Sequence, residues 1–320
     1  MRRLTALVLS LVLASCASDA PPGPNDIWDQ PSATVDPTHL PLGDAKYLDA
    51  QADPPQVGYV WSCRPQELYE TLPPIGAQRV GEWIHDTSFD ITAKPRIQGE
   101  VAWPEARFSL SLAGDQRRCE GNGLPVGVPT GLFPVAATDP AFSYDPNPCS
   151  ITAQPISFAV PASPVVAEQP SCVELYIGIT LDGVALVTGL DSSGRDELAY
   201  ELMDGCMGQA QPGGLYHRHV LSPCLPQVSE RQTLVGYALD GFGLFSPFDA
   251  DGTELTSQDL DECHGRTAPI PWEGRRVSMY HYVLTRDFPY TVSCFRGSPT
   301  RPAFPALPPP SAVAATGGCP

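Results

Sequence analysis

Lysine is nearly absent from this chain, since Lys46 and Lys94 are the only two among 320 residues. The 19 basic residues are outnumbered by 36 acidic ones, which gives a formal net charge of −17 at pH 7. A surface of this sign repels phosphate backbones and anionic lipid headgroups. The composition therefore excludes nucleic acid as a binding partner.

Long apolar segments are also missing. The apolar run Leu4–Ala14 covers about 11 residues, whereas a membrane-spanning helix needs roughly 20. Two arginines precede the run and Ser15-Cys16 follows it, which is the order of a bacterial export signal that ends in a lipobox. We expect residues 1–15 to be a lipoprotein signal peptide and Cys16 to carry the lipid. The alternative is an ordinary signal peptide that is cleaved near Ala17.

The lipid on Cys16 is the only membrane contact that we expect. Ala17 follows this cysteine in place of Asp, and the resemblance to Gram-negative lipoproteins of that kind predicts the outer membrane. Removal of the leader takes away two arginines and no acidic residue, so the mature chain has a net charge near −19. The predicted location is the cell envelope, with the folded part outside the cytoplasm.

None of the ten cysteines lies in a Cys-x-x-Cys pair, which argues against a zinc ribbon or a thioredoxin-type redox site. Export makes disulfide bonds the expected state instead. Nine cysteines remain beyond Cys16, so at most four bridges form within the chain. The expected leftover thiol is Cys319, which lies next to the C-terminus in a proline-rich tail.

Helical i, i+3, i+4 patterns are scarce, whereas 37 prolines and 28 glycines interrupt the apolar runs. Short runs of β-branched and aromatic residues predict a mainly β fold with antiparallel sheets and a few helical turns. Residues 16–56 lack apolar periodicity and are predicted to form a disordered Pro/Asp-rich tether. The β-rich domain is expected over residues 57–297, and residues 298–320 form a proline-rich tail.

An internal repeat is the most informative pattern. Residues 178–186 read GITLDGVAL and residues 236–244 read GYALDGFGL, at a constant offset of 58. Each copy continues with a turn, a cysteine, a Tyr-His strand and a second cysteine. Because order and spacing agree, we predict two related halves, about 172–226 and 230–297.

The repeat also predicts one disulfide bond within each half. Cys206–Cys224 and Cys263–Cys294 are the natural pairs, because each would close the loop that leads into the Tyr-His strand of its half. Crosslinks between the halves would contradict this pairing.

Several motifs resemble those of the YHYH family of bacterial exported proteins. The motifs are KPRIQG at 94–99, LDGF at 239–242, LDECHGR at 260–266, YHY at 280–282 and FPYTVSCF at 288–295. The resemblance extends from roughly Gly81 to Gly297. The family has no assigned activity, so the resemblance implies an exported domain but no reaction.

The chain departs from the family pattern at several histidines. Residues 216–219 read YHRH where the family has YHYH, and residues 280–283 read YHYV. Residues 206–209 read CMGQ where the family often has CNGH, and Gly127 or Val128 stands where the family often has a histidine. The chain therefore lacks several imidazoles that a metal site of the family could use.

The remaining histidines are the candidate metal ligands. His217 and His219 lie at i and i+2, which on a strand places both rings on one face. If the two halves meet face to face, His281 and His264 complete a site of three or four nitrogens for copper or zinc. In the alternative interpretation these histidines are structural and hydrogen-bond to the aspartates of the acidic loops.

Asp182 and Asp240 occupy the repeated Leu-Asp-Gly segments. As paired carboxylates they could serve acid–base catalysis, but Asp-Gly between apolar flanks is more typical of a hairpin turn. The sequence contains no nucleophile elbow, no phosphate-binding loop and no His-Glu-x-x-His motif. We therefore expect a ligand-binding or metal-binding envelope protein rather than an enzyme. The alternatives are a metal-dependent or histidine-based hydrolase and a structural protein without a small ligand.

Overall fold

The computed structural model describes residues 26–64, 79–225, 228, 231–301, 304–305 and 319. The strands of this part of the chain are β1 (Leu40–Pro41), β2 (Tyr47–Asp49), β3 (Val60–Ser62), β4 (Ile84–His85), β5 (Ser88–Phe89), β6 (Phe108–Ala113), β7 (Gln116–Gly121), β8 (Ile156–Pro161), β9 (Tyr176–Thr180), β10 (Ala185–Val187), β11 (Gly208–Ala210), β12 (Tyr216–Arg218), β13 (Leu234–Ala238), β14 (Gly243–Phe245), β15 (Gly265–Trp272) and β16 (Arg275–Val283). Helical structure consists of α1 (Glu197–Tyr200) and two 3-10 turns, Pro140–Ser143 and Ser257–Asp259. The prediction of a mainly β fold is confirmed. The predicted signal peptide and Cys16 lie outside the described residues.

The centre of the protein is an eight-stranded sheet with the order β11-β12-β10-β9-β13-β14-β16-β15. Five of its pairings are antiparallel, as the sequence predicted. The pairings β10–β12 and β14–β16 are parallel. The sheet is therefore mixed, because each Tyr-His strand returns alongside the second strand of its own hairpin.

The two sides of this sheet carry the same backbone hydrogen bonds at an offset of 58 residues. In the first hairpin Thr180 N–H donates to Val184 C=O, and in the second Ala238 N–H donates to Phe242 C=O. The next turns match as well, since Asp191 bonds to residue 195 and Asp249 bonds to residue 253. The repeated sequence thus corresponds to a repeated pattern of backbone bonds.

The β9–β13 pairing is the midpoint of the sheet. Ile179 pairs with Tyr237, which is its own counterpart at the offset of 58. A two-fold axis perpendicular to the sheet at this pair would relate β10, β12 and β11 to β14, β16 and β15. The Tyr-His strands β12 and β16 therefore lie on opposite sides of the midpoint.

Residues 26–56 are folded against the sheet, so the prediction of a disordered tether is wrong for this segment. Trp28 is fully buried, and its indole N–H donates to Leu221 C=O at 2.9 Å. Leu40 and Val35 are also buried. The many prolines and aspartates of this segment leave no regular pattern of apolar residues in its sequence. Single apolar residues at irregular spacing are nevertheless enough to hold the segment against the core.

Four disulfide bonds link the described cysteines: Cys63–Cys172, Cys149–Cys319, Cys206–Cys224 and Cys263–Cys294. Both bridges predicted from the repeat are therefore confirmed. The expected leftover thiol was wrong, because Cys319 is paired and Cys119 is the free, buried cysteine. Cys119 lies on β7 with its side chain in the main core, so an apolar environment rather than a bridge accommodates it.

The predicted tail also contributes to the fold in its described part. Thr300 N–H donates to Leu239 C=O, and the Phe304 ring stacks on Tyr176 with centroids 4.6 Å apart. Among the residues that the structure describes, no helix has the length and apolar character required to cross a bilayer.

Candidate functional site

The four candidate histidines do not form one site. His217 lies on β12 and His281 on β16, and the sheet order places four strands between them. Five strand spacings of about 4.8 Å correspond to about 24 Å, whereas two ligands of one metal ion lie within a few ångströms of each other. The predicted site shared by the two halves is therefore wrong, because the halves join edge to edge rather than face to face.

His264 and His281 have structural partners in the second half. The His264 Nε2 atom lies 2.9 Å from the Thr285 hydroxyl, and the His281 Nδ1 atom lies 3.3 Å from Met279 C=O. The His281 ring also makes an edge contact with Phe245. Burial lowers the pKa of His264 to about 3 and that of His281 to about 4, so both imidazoles are neutral at pH 7.

His217 and His219 meet in the first half, as the i, i+2 spacing predicted. Their Nε2 atoms are 3.0 Å apart, and the His219 Nε2 atom lies 3.1 Å from Glu197 Oε1. Both imidazoles are buried, which lowers the pKa of His217 to about 4 and holds the pKa of His219 well below its usual value. One neutral imidazole and one carboxyl group thus contact the Nε2 atom of a second neutral imidazole, out of reach of solvent.

The hydrogen bonds within this group cannot all be satisfied. The His219 Nδ1 atom is bonded to Thr188 C=O, so Nδ1 carries the proton and Nε2 offers a single lone pair. That lone pair faces both His217 Nε2 and Glu197 Oε1 and can accept only one hydrogen bond well. The His217 Nδ1 atom is buried without a hydrogen-bond partner. The group is therefore short of acceptors at its centre.

Further polar side chains surround the group. Gln209 Nε2 donates to Glu197 Oε1 and, at 3.3 Å, to Glu201 Oε2. Lys94 Nζ donates to the backbone carbonyls of Leu198 and Glu201. We call His217, His219, Glu197, Glu201, Gln209 and Lys94 the buried His–Glu cluster.

Burial controls the protonation of this cluster. Desolvation raises the pKa of Glu197 to about 8 and raises the pKa of Glu201 well above its usual value, which favours the neutral acids at pH 7. Desolvation also lowers the pKa of Lys94 to about 8. The two carboxyl groups of the cluster are therefore kept protonated by burial, because an isolated charge at this place would be costly.

The buried His–Glu cluster leaves no space for an organic substrate. The cavity beside Lys94 and Met203 has a volume of about 10 Å³, about that of one water probe. The larger cavity, about 400 Å³, is lined by residues of the small sheet β6-β7-β8 and by no cluster residue. Within the described ranges, no group of three or more His, Cys, Asp or Glu side chains is arranged to hold a metal ion as it stands.

The second half has no counterpart of the cluster. The position equivalent to Glu197 at the offset of 58 is Leu255. On the neighbouring strand pairs, His217 lies opposite Gln209, whereas His281 lies opposite Arg266. The two halves therefore share a backbone pattern but differ in the chemistry that it carries.

Asp182 and Asp240 lie in hairpin turns whose glycines have positive φ, +82° at Gly183 and +89° at Gly241. Asp182 pairs with Arg218 at 2.8 Å. Asp240 accepts a hydrogen bond from the Tyr282 hydroxyl at 2.6 Å. Each carboxylate thus has a structural partner within its own half, and the two carboxylates do not form a pair.

The aspartates of the acidic loops bond to tyrosines rather than to histidines. The Tyr216 hydroxyl donates to Asp204 at 2.8 Å, and the Tyr280 hydroxyl donates to Asp261 at 3.0 Å. The tyrosines of the repeated motif therefore close the loops, which leaves the histidines His217 and His219 to the cluster.

Sequence reasoning missed Glu197, Glu201, Gln209 and Lys94. One signal was available: Glu197 and Glu201 flank three apolar residues at i, i+4, the spacing that places two side chains on one face of a helical turn. A second signal was Gln209, which occupies a position where the resemblance to the YHYH family suggests a histidine. Neither signal indicates burial, and burial is what makes these side chains unusual.

Comparisons with known proteins give one match. Neither a curated protein nor a solved structure matches the chain. The family model described as YHYH protein matches residues 157–258, a range that contains His217, His219, Glu197 and Gln209 but not His281. The chain therefore contains a YHYH domain.

Proposed function

We propose that this chain is an exported lipoprotein of the cell envelope whose YHYH domain binds a divalent transition-metal ion through His217, His219 and Glu197. The observation that carries the proposal is that His219 Nε2 lies 3.0 Å from His217 Nε2 and 3.1 Å from Glu197 Oε1. Two ligands about 2.0–2.1 Å from a zinc ion at a near-tetrahedral angle are about 3.3 Å apart. Small side-chain shifts would therefore admit an ion.

The chemistry of the donor set favours zinc or copper. Imidazole nitrogens suit both metals, and two histidines with one carboxylate form a known zinc ligand set. The ion would replace the protons at the centre of the cluster and use all three lone pairs, which relieves the shortage of acceptors at His219. Gln209 and Glu201 would then orient Glu197 from behind, as outer partners of metal ligands commonly do.

Burial sets the type of function. A site without space for a substrate supports metal binding or storage more than hydrolysis, which needs an open coordination position and a cavity. The structural alternative, in which the cluster only holds α1 against β12, requires that the purified protein bind no metal.

Metal content and affinity test this proposal directly. Protein purified from the envelope should contain about one zinc or copper ion per chain by mass spectrometry of the elements. Competition with a chromophoric chelator should show at least a 100-fold weaker affinity in His219→Ala and in Glu197→Gln. The matched control is His281→Ala, which removes the equivalent-looking histidine of the other half and should leave the affinity unchanged. A protein that binds neither metal, or a His281→Ala variant that loses it, would overturn the proposal.

The anchor needs a separate test. The leader and Cys16 support lipidation, and the acidic surface supports attachment through the lipid alone rather than through headgroups. A Cys16→Ser variant should move from the membrane fraction to the soluble envelope fraction and lose incorporation of labelled fatty acid. Unchanged membrane association of this variant would contradict the lipoprotein assignment.

A further inference from the structure

The strand β6 lies at the edge of its sheet, so only about half of its backbone N–H and C=O groups have a partner strand. It pairs only with β7 in the small sheet β6-β7-β8. Asn122 N–H donates to Arg107 C=O, so the backbone of Arg107 faces β7. Because backbone groups alternate along a strand, those of Phe108, Leu110 and Leu112 face away from β7. No described segment bonds to them.

Both edges of the eight-stranded sheet are protected. The outer strand β15 contains Pro269 and Pro271, which cannot donate to an added strand. The opposite edge, β11, is only three residues long and buried. β6 is six residues long, reads FSLSLA and contains neither proline nor a charged residue. Leu112 on this strand is 58% exposed.

The ends of β6 are complementary to each other in charge. Arg107 precedes the strand, and Asp115 lies in the Gly114-Asp115 turn that follows it. Neither side chain forms an ion pair with a described residue. When two β6 strands run antiparallel about a two-fold axis at Ser111, Leu110 lies opposite Leu112, and Arg107 at each end lies beside the Gly114-Asp115 turn of the other copy.

Charge also selects this register over the neighbouring one. A two-residue slip, with the axis at Leu110, keeps the same backbone groups facing each other but brings Glu105 in place of Arg107 beside the turn that contains Asp115. Like charges opposite each other destabilise a strand pair, whereas opposite charges stabilise it. The register centred on Ser111 therefore has two favourable pairs where the slipped register has two repulsive ones.

We propose that β6 pairs with β6 of a second copy of this chain, which joins two three-stranded sheets into one six-stranded sheet across a two-fold axis. The interface is isologous, as expected for a homodimer. A pair of six-residue strands, each about 20 Å long, covers less than the roughly 1,200 Å² typical of stable interfaces. The dimer is therefore weak and depends on concentration, which anchoring in a membrane would raise.

Charge reversal tests the register. Sedimentation velocity of residues 17–320 over a wide concentration range should show a monomer–dimer equilibrium with a dissociation constant in the micromolar range. Arg107→Asp and Asp115→Arg should each weaken the dimer at least 10-fold. The double variant restores opposite charges at both ends and should recover the original constant to within about threefold. Both positions are exposed, so an unchanged melting temperature serves as the folding control.

Two results would overturn the proposal. One is a chain that stays monomeric up to the highest soluble concentration. The other is a dimer whose constant does not respond to the single reversals, or a double variant that associates no better than either single variant. In the second case the copies meet at another surface.

Discussion

Position 218 and its counterpart 282 show how one fold position can be filled by different chemistry. Arg218 is fully buried and pairs with Asp182, whereas Tyr282 is fully buried and donates its hydroxyl to Asp240. The buried Arg218–Asp182 ion pair costs more than the Tyr282–Asp240 hydrogen bond, because two further guanidinium nitrogens of Arg218 have no hydrogen-bond partner.

Removal of one member of this ion pair should be costly. Asp182→Ala leaves the Arg218 charge buried and unpaired, so we expect the free energy of unfolding to fall by about 3–5 kcal/mol. Arg218→Tyr, which copies the arrangement of the second half, should cost less because no charge is stranded. Urea denaturation of both variants checks the order. An Asp182→Ala variant as stable as Arg218→Tyr would contradict the structural role of the pair.

His264 should make stability depend on pH. Its folded pKa is lowered to about 3 by burial, so between pH 6.5 and 3 the unfolded chain binds a proton that the folded chain does not. The free energy of unfolding therefore falls as the pH falls through this window, by about 2 kcal/mol between pH 6.5 and 5. His264→Asn removes this contribution, and asparagine tolerates the positive φ of the position.

The measurement is the change in unfolding free energy between pH 7 and pH 5. It should be about 2 kcal/mol smaller in His264→Asn than in the parent protein. Equal changes in the two proteins would show that His264 is protonated in the folded state.

Among the elements of the fold, residues 26–56 form a strap rather than a tether. Arg286 donates to the carbonyls of Ile27 and Gln30 and pairs with Glu254 in the second half. Further along, Gly43 N–H donates to Asp196, the residue before α1, at 2.8 Å. The strap therefore contacts both halves of the domain and passes beside the helical turn that carries Glu197.

Trp28→Ala tests whether the strap belongs to the cooperative fold. Loss of a fully buried indole and its hydrogen bond should lower the free energy of unfolding by about 3–5 kcal/mol. A surface substitution in the same segment, Gln51→Ala, should change it by less than about 0.5 kcal/mol. Two-state urea curves give both values. A Trp28→Ala variant with parental stability would mean that the strap unfolds independently of the sheet.

The sequence allowed correct predictions where the physics is local. The hairpins, their Asp-Gly turns and the bridges Cys206–Cys224 and Cys263–Cys294 all follow from spacing within one half. The strand order does not, because nothing in a repeat states which edges of two similar units join. Because the two halves join through β9 and β13, His217 and His281 lie on opposite sides of the midpoint of the sheet and cannot form the predicted common site.

Burial explains the other differences between prediction and structure. Glu197 and Glu201 belong to an acidic turn, yet both are buried and accept hydrogen bonds from Gln209 on β11. Whether an acidic residue is solvated or buried depends on long-range packing, which the pattern within one turn does not determine. The i, i+2 spacing of His217 and His219 brought the two rings together because His219 directly follows the end of β12, the strand that carries His217.

In the whole molecule, the stabilising contacts occur in both halves of the central sheet, whereas the unusual ionisable groups occur in one half only. Matching turns, tyrosine–aspartate bonds and disulfides occur on both sides of the midpoint, so they serve the framework. The buried His–Glu cluster occurs on one side only. A framework stabilised twice can accommodate several buried ionisable groups at one place, each of which costs stability by itself.

The number of free thiols in the chain depends both on the disulfide bonds of the fold and on the proposed lipid at Cys16. Four disulfides use eight of the nine cysteines beyond Cys16, and the ninth, Cys119, is buried with its pKa raised to about 12 by desolvation. The folded protein should therefore react with no thiol reagent, because the thiolate is the nucleophile and Cys119 is neither accessible nor ionised.

Unfolding without reductant should expose one thiol per chain if Cys16 carries a thioether-linked lipid, and two if Cys16 is retained as a free thiol. Cys119→Ala separates these cases, because it reduces the count to zero with a lipidated Cys16 and to one with a free Cys16. A count of three that Cys16→Ser does not lower would mean instead that one of the four bridges is open. Counting with a chromogenic disulfide in guanidinium chloride, on protein from the membrane fraction, therefore tests the disulfide framework and the lipid attachment together.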